Sequence, residues 1–183
     1  ILNEIKKHNK VVIMGHKFSD NDAVGASVAM EYFCRQNGVN AKVVIDEKKS
    51  LAGPLIKYLR DNGYDKFIDH DEGKRFCDSK TLVIVVDTHV ENLLESDDVY
   101  EDGGKKIVID HHRRNADYID DAEIFYHLPL SSSTCEMVSE LIEYSATQMT
   151  LPPEIATALL SGIVLDTKDY VLGKFSKDEM NRL

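Results

Sequence analysis

An α/β fold, built on a mostly parallel β-sheet flanked by helices, is predicted by two patterns in this sequence of 183 residues. Short runs of consecutive apolar and β-branched residues recur along the chain, and segments with helical spacing separate them. Strands without polar alternation are typical of parallel sheets that helices cover on both faces. The length suits one domain with a full core.

The first strand is predicted over residues 10–14, and a helix follows over residues 23–36, where apolar side chains recur at helical spacing. Asn37-Gly38 supplies the end of that helix. Later apolar runs predict three more strands and one short helix: the strands over residues 41–46, 81–86 and 106–109, and the helix over residues 55–59.

Beyond the last of these strands the pattern changes to helices. Ser133-Thr134-Cys135-Glu136 resembles a capping box that opens a helix ending near residue 144. Pro152-Pro153-Glu154 opens a further helix that continues through residue 163. The predicted loops are residues 47–53, 97–104 and 113–129.

The composition argues against several classes of function. With 43% hydrophobic and 30% charged residues the sequence is that of an ordinary globular protein, and no apolar run approaches the roughly 20 residues that span a bilayer. A net charge of −10 argues against binding to duplex nucleic acid, which needs a basic surface. The three cysteines lack metal-type spacing, which favours free thiols in a reducing compartment. We therefore expect a soluble cytoplasmic domain that makes no membrane contact.

Acidic and imidazole side chains follow the ends of the predicted strands. The triplet Asp110-His111-His112 directly follows the strand over residues 106–109. Because the carboxyl ends of parallel strands meet at one edge of a sheet, we expect such groups to lie close together there. The candidate residues are His16, Asp20 and Asp22 after the first strand, Asp87, Asp110, His111 and His112 after later strands, and Asp166 near the end of the last helix.

A cluster of this kind could not remain ionised and unpaired, because desolvation and like-charge repulsion are too costly. Divalent cations are the natural compensation. Oxygen and imidazole ligands without sulfur favour Mn²⁺, with Fe²⁺ and Co²⁺ as alternatives, over structural zinc. The number of ligands suits two ions that share a bridging carboxylate, as in sites that cleave phosphoryl groups. Arg113 and Arg114, which follow the triplet, are candidates for binding phosphate.

Each piece also has a plainer interpretation. Asp20-Asn21-Asp22 alone is most often a turn with a helix cap, and Asp87 at a strand end is usually a cap or turn former. Asp166 alone could be a buried, hydrogen-bonded acid. His16 and His111 would each more often be satisfied polar residues than ligands. All these interpretations would have to hold together, so the joint pattern favours a metal site. The histidines without such a context are interpreted as surface or structural: His8, His70, His89 and His127.

These motifs resemble those of the DHH phosphoesterase family. Residues 15–25 are similar to its first motif, Asp87 to its second, Asp110-His111-His112 to its third, and residues 162–168 to its fourth. Four motifs in the right order cover residues 10–170, nearly the whole chain. The individual residues of these motifs are most similar to those of bacterial cyclic-di-AMP phosphodiesterases, which are membrane-anchored.

The resemblance implies two manganese ions and a set of roles. Asp110 would orient its neighbours, and His112 would face the scissile phosphate. His112, together with Arg113 or Arg114, would stabilise the charge that develops on the phosphate. The implied reaction opens cyclic di-AMP to linear pApA with a water molecule activated by both metals. The implied metal ligands are His16, Asp20 and Asp87 for one ion, and Asp22, Asp87, His111 and Asp166 for the other.

The resemblance also implies how the chain is organised. Residues 1–170 would form the catalytic lobe, and residues 171–183 would start a linker to a second lobe that is absent here. The parent protein would be anchored in the cell membrane and able to form a homodimer.

Other functions stay open at this point. Hydrolysis of short oligoribonucleotides or of 3′-phosphoadenosine 5′-phosphate uses the same metal chemistry, and a non-catalytic nucleotide-binding domain is a further alternative. A manganese pyrophosphatase fits less well, because Phe18-Ser19 stands where its first motif has Asn-Pro. A single-strand exonuclease disagrees with the acidic chain. A phosphorelay receiver, from a different class, would leave His16, His111 and His112 unexplained.

Overall fold

The computed structural model describes residues 1–114, 116–145 and 149–168. In these residues the predicted α/β fold is confirmed, because all the strands are parallel and join in one sheet of six. The strands are β1 (Lys10–Met14), β2 (Asn40–Val44), β3 (Phe67–Ile68), β4 (Leu82–Val86), β5 (Lys106–Asp110) and β6 (Ile124–His127). Their order across the sheet is β3-β2-β1-β4-β5-β6.

The helices connect these strands and then cover the sheet. A short 3-10 helix, Glu91–Leu93, follows β4. The α-helices are α1 (Leu2–Ile5), α2 (Asn21–Gln36), α3 (Gly53–Asp61), α4 (His70–Phe76), α5 (Asp97–Asp102), α6 (Thr134–Glu143) and α7 (Pro153–Thr167). The four helices predicted from the sequence correspond to α2, α3, α6 and α7.

Two predicted loops are wrong in part. Residues 97–104 contain α5, which begins after the Ser96 side chain caps the Val99 N–H and which buries Val99 and Tyr100. Residues 113–129 contain β6, an edge strand that pairs with β5 and is only half-buried. Both elements are short, with six residues in α5 and four in β6, and α5 is also mostly acidic, so a hydrophobic pattern did not reveal them. The two-residue strand β3 and the helix α4 were likewise not predicted.

Apolar side chains of the strands form a core on each face of the sheet. Val11 and Ile13 belong to the larger core, which also contains buried residues of α2, α3, α6 and α7. Val12 and Met14 point into the smaller core, with Val99 of α5. The central strands β1, β4 and β5 are therefore buried on both sides, which is why their sequences show no polar alternation.

The order of the strands creates a crevice at the carboxyl ends of the neighbouring strands β1 and β4. From β1 the chain first builds β2 and β3 on one side, and then returns to build β4, β5 and β6 on the other. The loops that leave β1 and β4 consequently diverge, and in open α/β sheets the ligand binds at this point.

No helix within the described residues is long and apolar enough to cross a membrane. The predicted lobe boundary at residue 170 and the predicted linker over residues 171–183 lie outside the described residues.

Candidate metal centre

The loop after β1 and the first turn of α2 supply three of the candidate ligands. Asp20 is the N-cap of α2, where its Oδ1 accepts the N–H groups of Asp22 at 2.9 Å and Ala23 at 3.2 Å. The plainer interpretation of this acid as a helix cap is therefore correct, and it does not exclude a ligand role. His16, Asp20 and Asp87 each offer one ligand atom, and these atoms lie within 4.8 Å of one another.

Asp87 leaves the end of β4 with a strained backbone. Its φ is +62°, a left-handed conformation that non-glycine residues rarely adopt, and such strain is often found at functional sites. The residue is 2% exposed, and its N–H donates to Ile109 O at 2.9 Å. Its two carboxylate oxygens face different neighbours: Oδ2 lies 3.6 Å from His16 Nε2, and Oδ1 lies 3.6 Å from His111 Nε2.

His111 and Asp166 come from opposite sides of the crevice. His111 follows β5, whereas Asp166 lies in the last turn of α7. His111 Nε2 is 3.1 Å from Asp166 Oδ2 and 3.8 Å from Asp22 Oδ2. The ligand atoms of Asp22, His111 and Asp166 lie within 4.8 Å of one another, so they form a second ligand group beside the first.

The hydrogen bonds of the two histidines suit cation binding. His16 Nδ1 is 2.7 Å from Lys17 O, and His111 Nδ1 is 3.3 Å from Ser131 O. When each Nδ1–H donates to a backbone carbonyl, the lone pair of Nε2 faces the carboxylates. Such a hydrogen bond from Nδ1–H is what orients the ring of a metal-bound histidine. His111 Nε2 is buried, and the groups it faces among the described residues are carboxylates, with Asp166 Oδ2 at 3.1 Å. A divalent cation would satisfy this atom and the surrounding carboxylates together, so the residues present fit such an ion.

The charges of the cluster shift the pKa values of its members. Burial, together with the neighbouring charges of Asp87 and Asp166, holds the pKa of Asp22 well above its usual range. Burial lowers the pKa of His16, but the Asp87 carboxylate, the Lys17 carbonyl and Asp20 together more than offset this and raise it to about 9. Without cations, the site therefore keeps protons on groups that would have to release them to a metal.

The N-terminus of α6 holds the carboxylates in place, which the sequence did not reveal. Thr134 N donates to Asp22 Oδ2 at 2.7 Å, and Cys135 N donates to Asp22 Oδ1 at 2.8 Å. Thr134 Oγ1 donates to Asp87 Oδ1 at 2.9 Å. Ser133 caps α6 as predicted, but the Glu136 carboxylate accepts the N–H of Ser132 at 2.6 Å. The segment predicted as a capping box therefore also orients candidate metal ligands.

Asp110 and His112 lie beside the ligand groups. Asp110 is fully buried, and its Oδ1 is 2.8 Å from His112 Nδ1, while Oδ2 contacts His89 Nδ1. Burial raises the pKa of Asp110, but hydrogen bonds from His112 and His89 outweigh it and hold the pKa at about 2. His112 Nδ1 is also 3.7 Å from Asp87 Oδ1. Because Nδ1 is engaged by Asp110, we do not count His112 among the metal ligands.

The two arginines after the triplet differ in their surroundings. The Arg114 guanidinium carbon lies 4.0 Å from the centre of the Tyr118 ring and 5.7 Å from that of Phe125, which ties this side chain to the protein surface. Arg113 is exposed. Arg114 is also exposed, so the two differ in the ring contacts of Arg114 and not in their access to solvent.

Comparisons with known proteins show which proteins the chain resembles. The cyclic-di-AMP phosphodiesterase GdpP of Bacillus subtilis is 34% identical over 174 residues, which cover 92% of this chain and 26% of that protein. A probable manganese-dependent inorganic pyrophosphatase of Streptococcus mutans is 28% identical, over 87% of this chain and 48% of that protein. The chain thus spans about a quarter to a half of the length of these relatives.

A solved structure has the same fold. The crystal structure of an exopolyphosphatase-related protein from Bacteroides fragilis superimposes with a TM-score of 0.83 at 22% identity, over 98% of this chain and 52% of that one. The DHH family, N-terminal domain, matches residues 10–163, which include all but one of the candidate ligands. This chain belongs to the DHH family.

Proposed function

We propose that this chain is the catalytic lobe of a metal-dependent phosphodiesterase that hydrolyses cyclic di-AMP to linear pApA. The proposal rests chiefly on Asp87, whose Oδ2 faces His16 Nε2 and whose Oδ1 faces His111 Nε2, each at 3.6 Å. A carboxylate that presents one oxygen to each of two ligand groups is the bridge that a two-metal site needs.

Two ions would be held by the two ligand groups. One would be bound by His16, Asp20 and Asp87, and the other by Asp22, Asp87, His111 and Asp166. Bound divalent cations would polarise the phosphoryl oxygens and lower the pKa of a water molecule. Mn²⁺ is the ion we expect, because the donors are oxygen and imidazole and because one relative is named as manganese-dependent.

His112 would act on the phosphate directly. Its Nδ1–H is directed to Asp110 Oδ1 at 2.8 Å, which leaves Nε2 as the ring atom that can meet the substrate. The Asp110 hydrogen bond is the main cause that raises the pKa of His112, so the ring would more readily carry the second proton. Protonated Nε2–H would donate to a phosphate oxygen or to the leaving 3′-oxygen, and Arg113 would neutralise charge on the same phosphate.

The substrate is inferred from the relatives. GdpP is named as a cyclic-di-AMP phosphodiesterase and is more similar to this chain than the pyrophosphatase is. A further relative, at 26% identity, is named as a bifunctional oligoribonuclease and PAP phosphatase. A nucleotide with a phosphodiester bond is common to the first and the last of these names. The second lobe, the membrane anchor and the homodimer of the parent stay predictions.

The test is product analysis with the Mn²⁺-loaded protein. Cyclic di-AMP, pApA, 3′-phosphoadenosine 5′-phosphate and a five-nucleotide RNA are incubated separately and resolved by ion-exchange chromatography. We expect pApA from cyclic di-AMP, faster than any other product. Preferential release of AMP from the RNA would assign the chain to oligoribonuclease function. No turnover of any substrate, despite bound Mn²⁺, would leave a non-catalytic nucleotide-binding domain.

A further inference from the structure

A second group of imidazoles surrounds the buried carboxylate of Asp110, which we call the Asp110 cluster: His89, Asp110, His112 and His127. Asp110 Oδ2 contacts His89 Nδ1, whereas Oδ1 accepts from His112 Nδ1 at 2.8 Å and from His112 N at 3.1 Å. His89 is 1% exposed. The ring of His127 packs edge-on against that of His89, with the centroids 5.2 Å apart.

The spacing alone would suit another cation. The ligand atoms of His89, Asp110 and His127 lie within 4.8 Å of one another. However, these atoms are already engaged, because His89 Nδ1 contacts Asp110 and His127 Nε2 is 2.5 Å from His112 O. The Asp110 cluster is therefore a hydrogen-bonded support and not a third metal site.

Backbone hydrogen bonds fix the positions of most residues in this cluster. Asp110 and His127 are register partners in the β5–β6 pair, and Leu128 N donates to Asp110 O at 3.1 Å. Ile119 N donates to His89 O at 2.8 Å. The His112 side chain, which is 54% exposed, is the outer member. Three buried or half-buried groups thus converge on a side chain that is exposed and can meet a substrate.

We infer that His89 is a positioning residue, which holds His112 in place for the proposed hydrolysis by occupying the far oxygen of Asp110. The inference rests on the proposed role of His112. With His89 on Oδ2, the carboxylate plane is fixed, and Oδ1 is left for His112. Without that donor, Oδ2 would be buried and unpaired, which is costly. The carboxylate would then rotate toward its remaining donors, and the His112 ring would lose its fixed orientation.

Two substitutions at His89 separate this role from simple packing. In His89→Asn the amide nitrogen is attached at the same point as Nδ1, so it can still donate to Asp110. In His89→Gln the amide lies one bond further out, at the place of Nε2. We expect His89→Asn to stay within about 3-fold of wild-type kcat, and His89→Gln to lose about 10–100-fold, with KM and Mn²⁺ content unchanged. Equal kcat values for the two variants would overturn the inference.

A double-mutant cycle checks that the effect passes through His112. In a His112→Ala background, His89→Gln should cause no further loss of kcat, because there is no ring left to position. A full additional loss would show that His89 acts elsewhere and would refute the inference. The double variant must keep its Mn²⁺ content and its melting temperature for this comparison.

A readout that needs no turnover keeps this inference distinct from the proposed function. In proton NMR spectra, hydrogen-bonded imidazole N–H protons appear far downfield. We expect the His112 Nδ1–H signal to persist in His89→Asn and to disappear or broaden in His89→Gln. If the wild-type protein hydrolyses nothing but this signal responds as expected, only the proposed function fails. If hydrolysis is observed but the His112 Nδ1–H signal is the same in both variants as in the wild type, only the positioning role fails.

Discussion

Gly162 allows α7 to approach α2 and α6 at the metal centre, and Gly162→Ala should separate them. A Cβ at this position would lie 2.5 Å from Cys135 Sγ, 2.8 Å from Asp22 Cα and 2.9 Å from Asp22 Oδ1. All three distances are shorter than real Cβ contacts. The Asp22 carboxylate cannot move freely, since it accepts N–H groups of Thr134 and Cys135. The helix must therefore shift.

The expected cost follows from two opposing effects. Alanine is favoured over glycine in a helix by about 1 kcal/mol. Overpacking of a rigid core costs about 1–3 kcal/mol, and contact with the backbone of Asp22 favours the upper part of that range. The net loss should be about 1–2 kcal/mol, which for a domain of this size lowers the melting temperature by about 2–8 °C. Displacement of Asp22 should also weaken Mn²⁺ binding by about 10-fold.

Differential scanning calorimetry and isothermal titration with Mn²⁺ measure these two effects. Gly53→Ala is the matched control, because Gly53 is also helical and its added Cβ would meet no atom within 4 Å. The control should keep or slightly raise the melting temperature and should leave Mn²⁺ affinity unchanged. A Gly162→Ala protein as stable as wild type, with full Mn²⁺ affinity, would refute the close packing of α7 on Asp22.

Further predictions concern the ions. Asp87→Asn should remove both metals and all turnover, because one side chain serves both ligand groups. If mass spectrometry shows that the variant still binds one of the two ions, Asp87 is not the bridge. Thr134→Val should lower Mn²⁺ affinity about 10-fold by removing the hydroxyl that donates to Asp87 Oδ1, whereas Thr134→Ser should keep it, and equal titration curves would disprove this support. In the metal-free protein the pKa of His16 is raised to about 9, so below that pH a cation must displace a proton. Mn²⁺ affinity should therefore rise between pH 7 and pH 9, with proton release detectable in buffers of different ionisation enthalpy, and a flat profile would exclude His16 as a ligand. Chelation with EDTA should lower the melting temperature, because ions that bind only the folded state stabilise it; an unchanged value would count against a metal site.

The sequence predicted elements well where burial is continuous. β1, β4 and β5 are almost wholly buried, so their apolar runs are visible without any knowledge of their neighbours. The edge strand β6 has only four residues, all of them half-buried, and it follows a polar stretch. A run this short does not show from local pattern that β5 is available as its partner.

Most of the candidate ligands could be named from the sequence because acids and imidazoles recur after several predicted strands, although each of them alone also suits a turn or a cap. Their chemical type also indicated divalent cations of the Mn²⁺ kind. The support of these ligands could not be read in the same way. Thr134 and Cys135 have an evident local role at the start of α6, and nothing in the sequence links them to Asp22, 112 and 113 positions away.

By itself, then, the sequence determined the buried strands, the parallel α/β class and the residue types available at the crevice. Only the tertiary structure decided which oxygen of Asp87 faces which histidine, and that His89, a residue without local context, lies against Asp110. The physical reason is that hydrophobic periodicity is a property of neighbouring residues, whereas these contacts depend on the order of the strands and on how closely α2, α6 and α7 pack. Those distances arise from the folded chain as a whole.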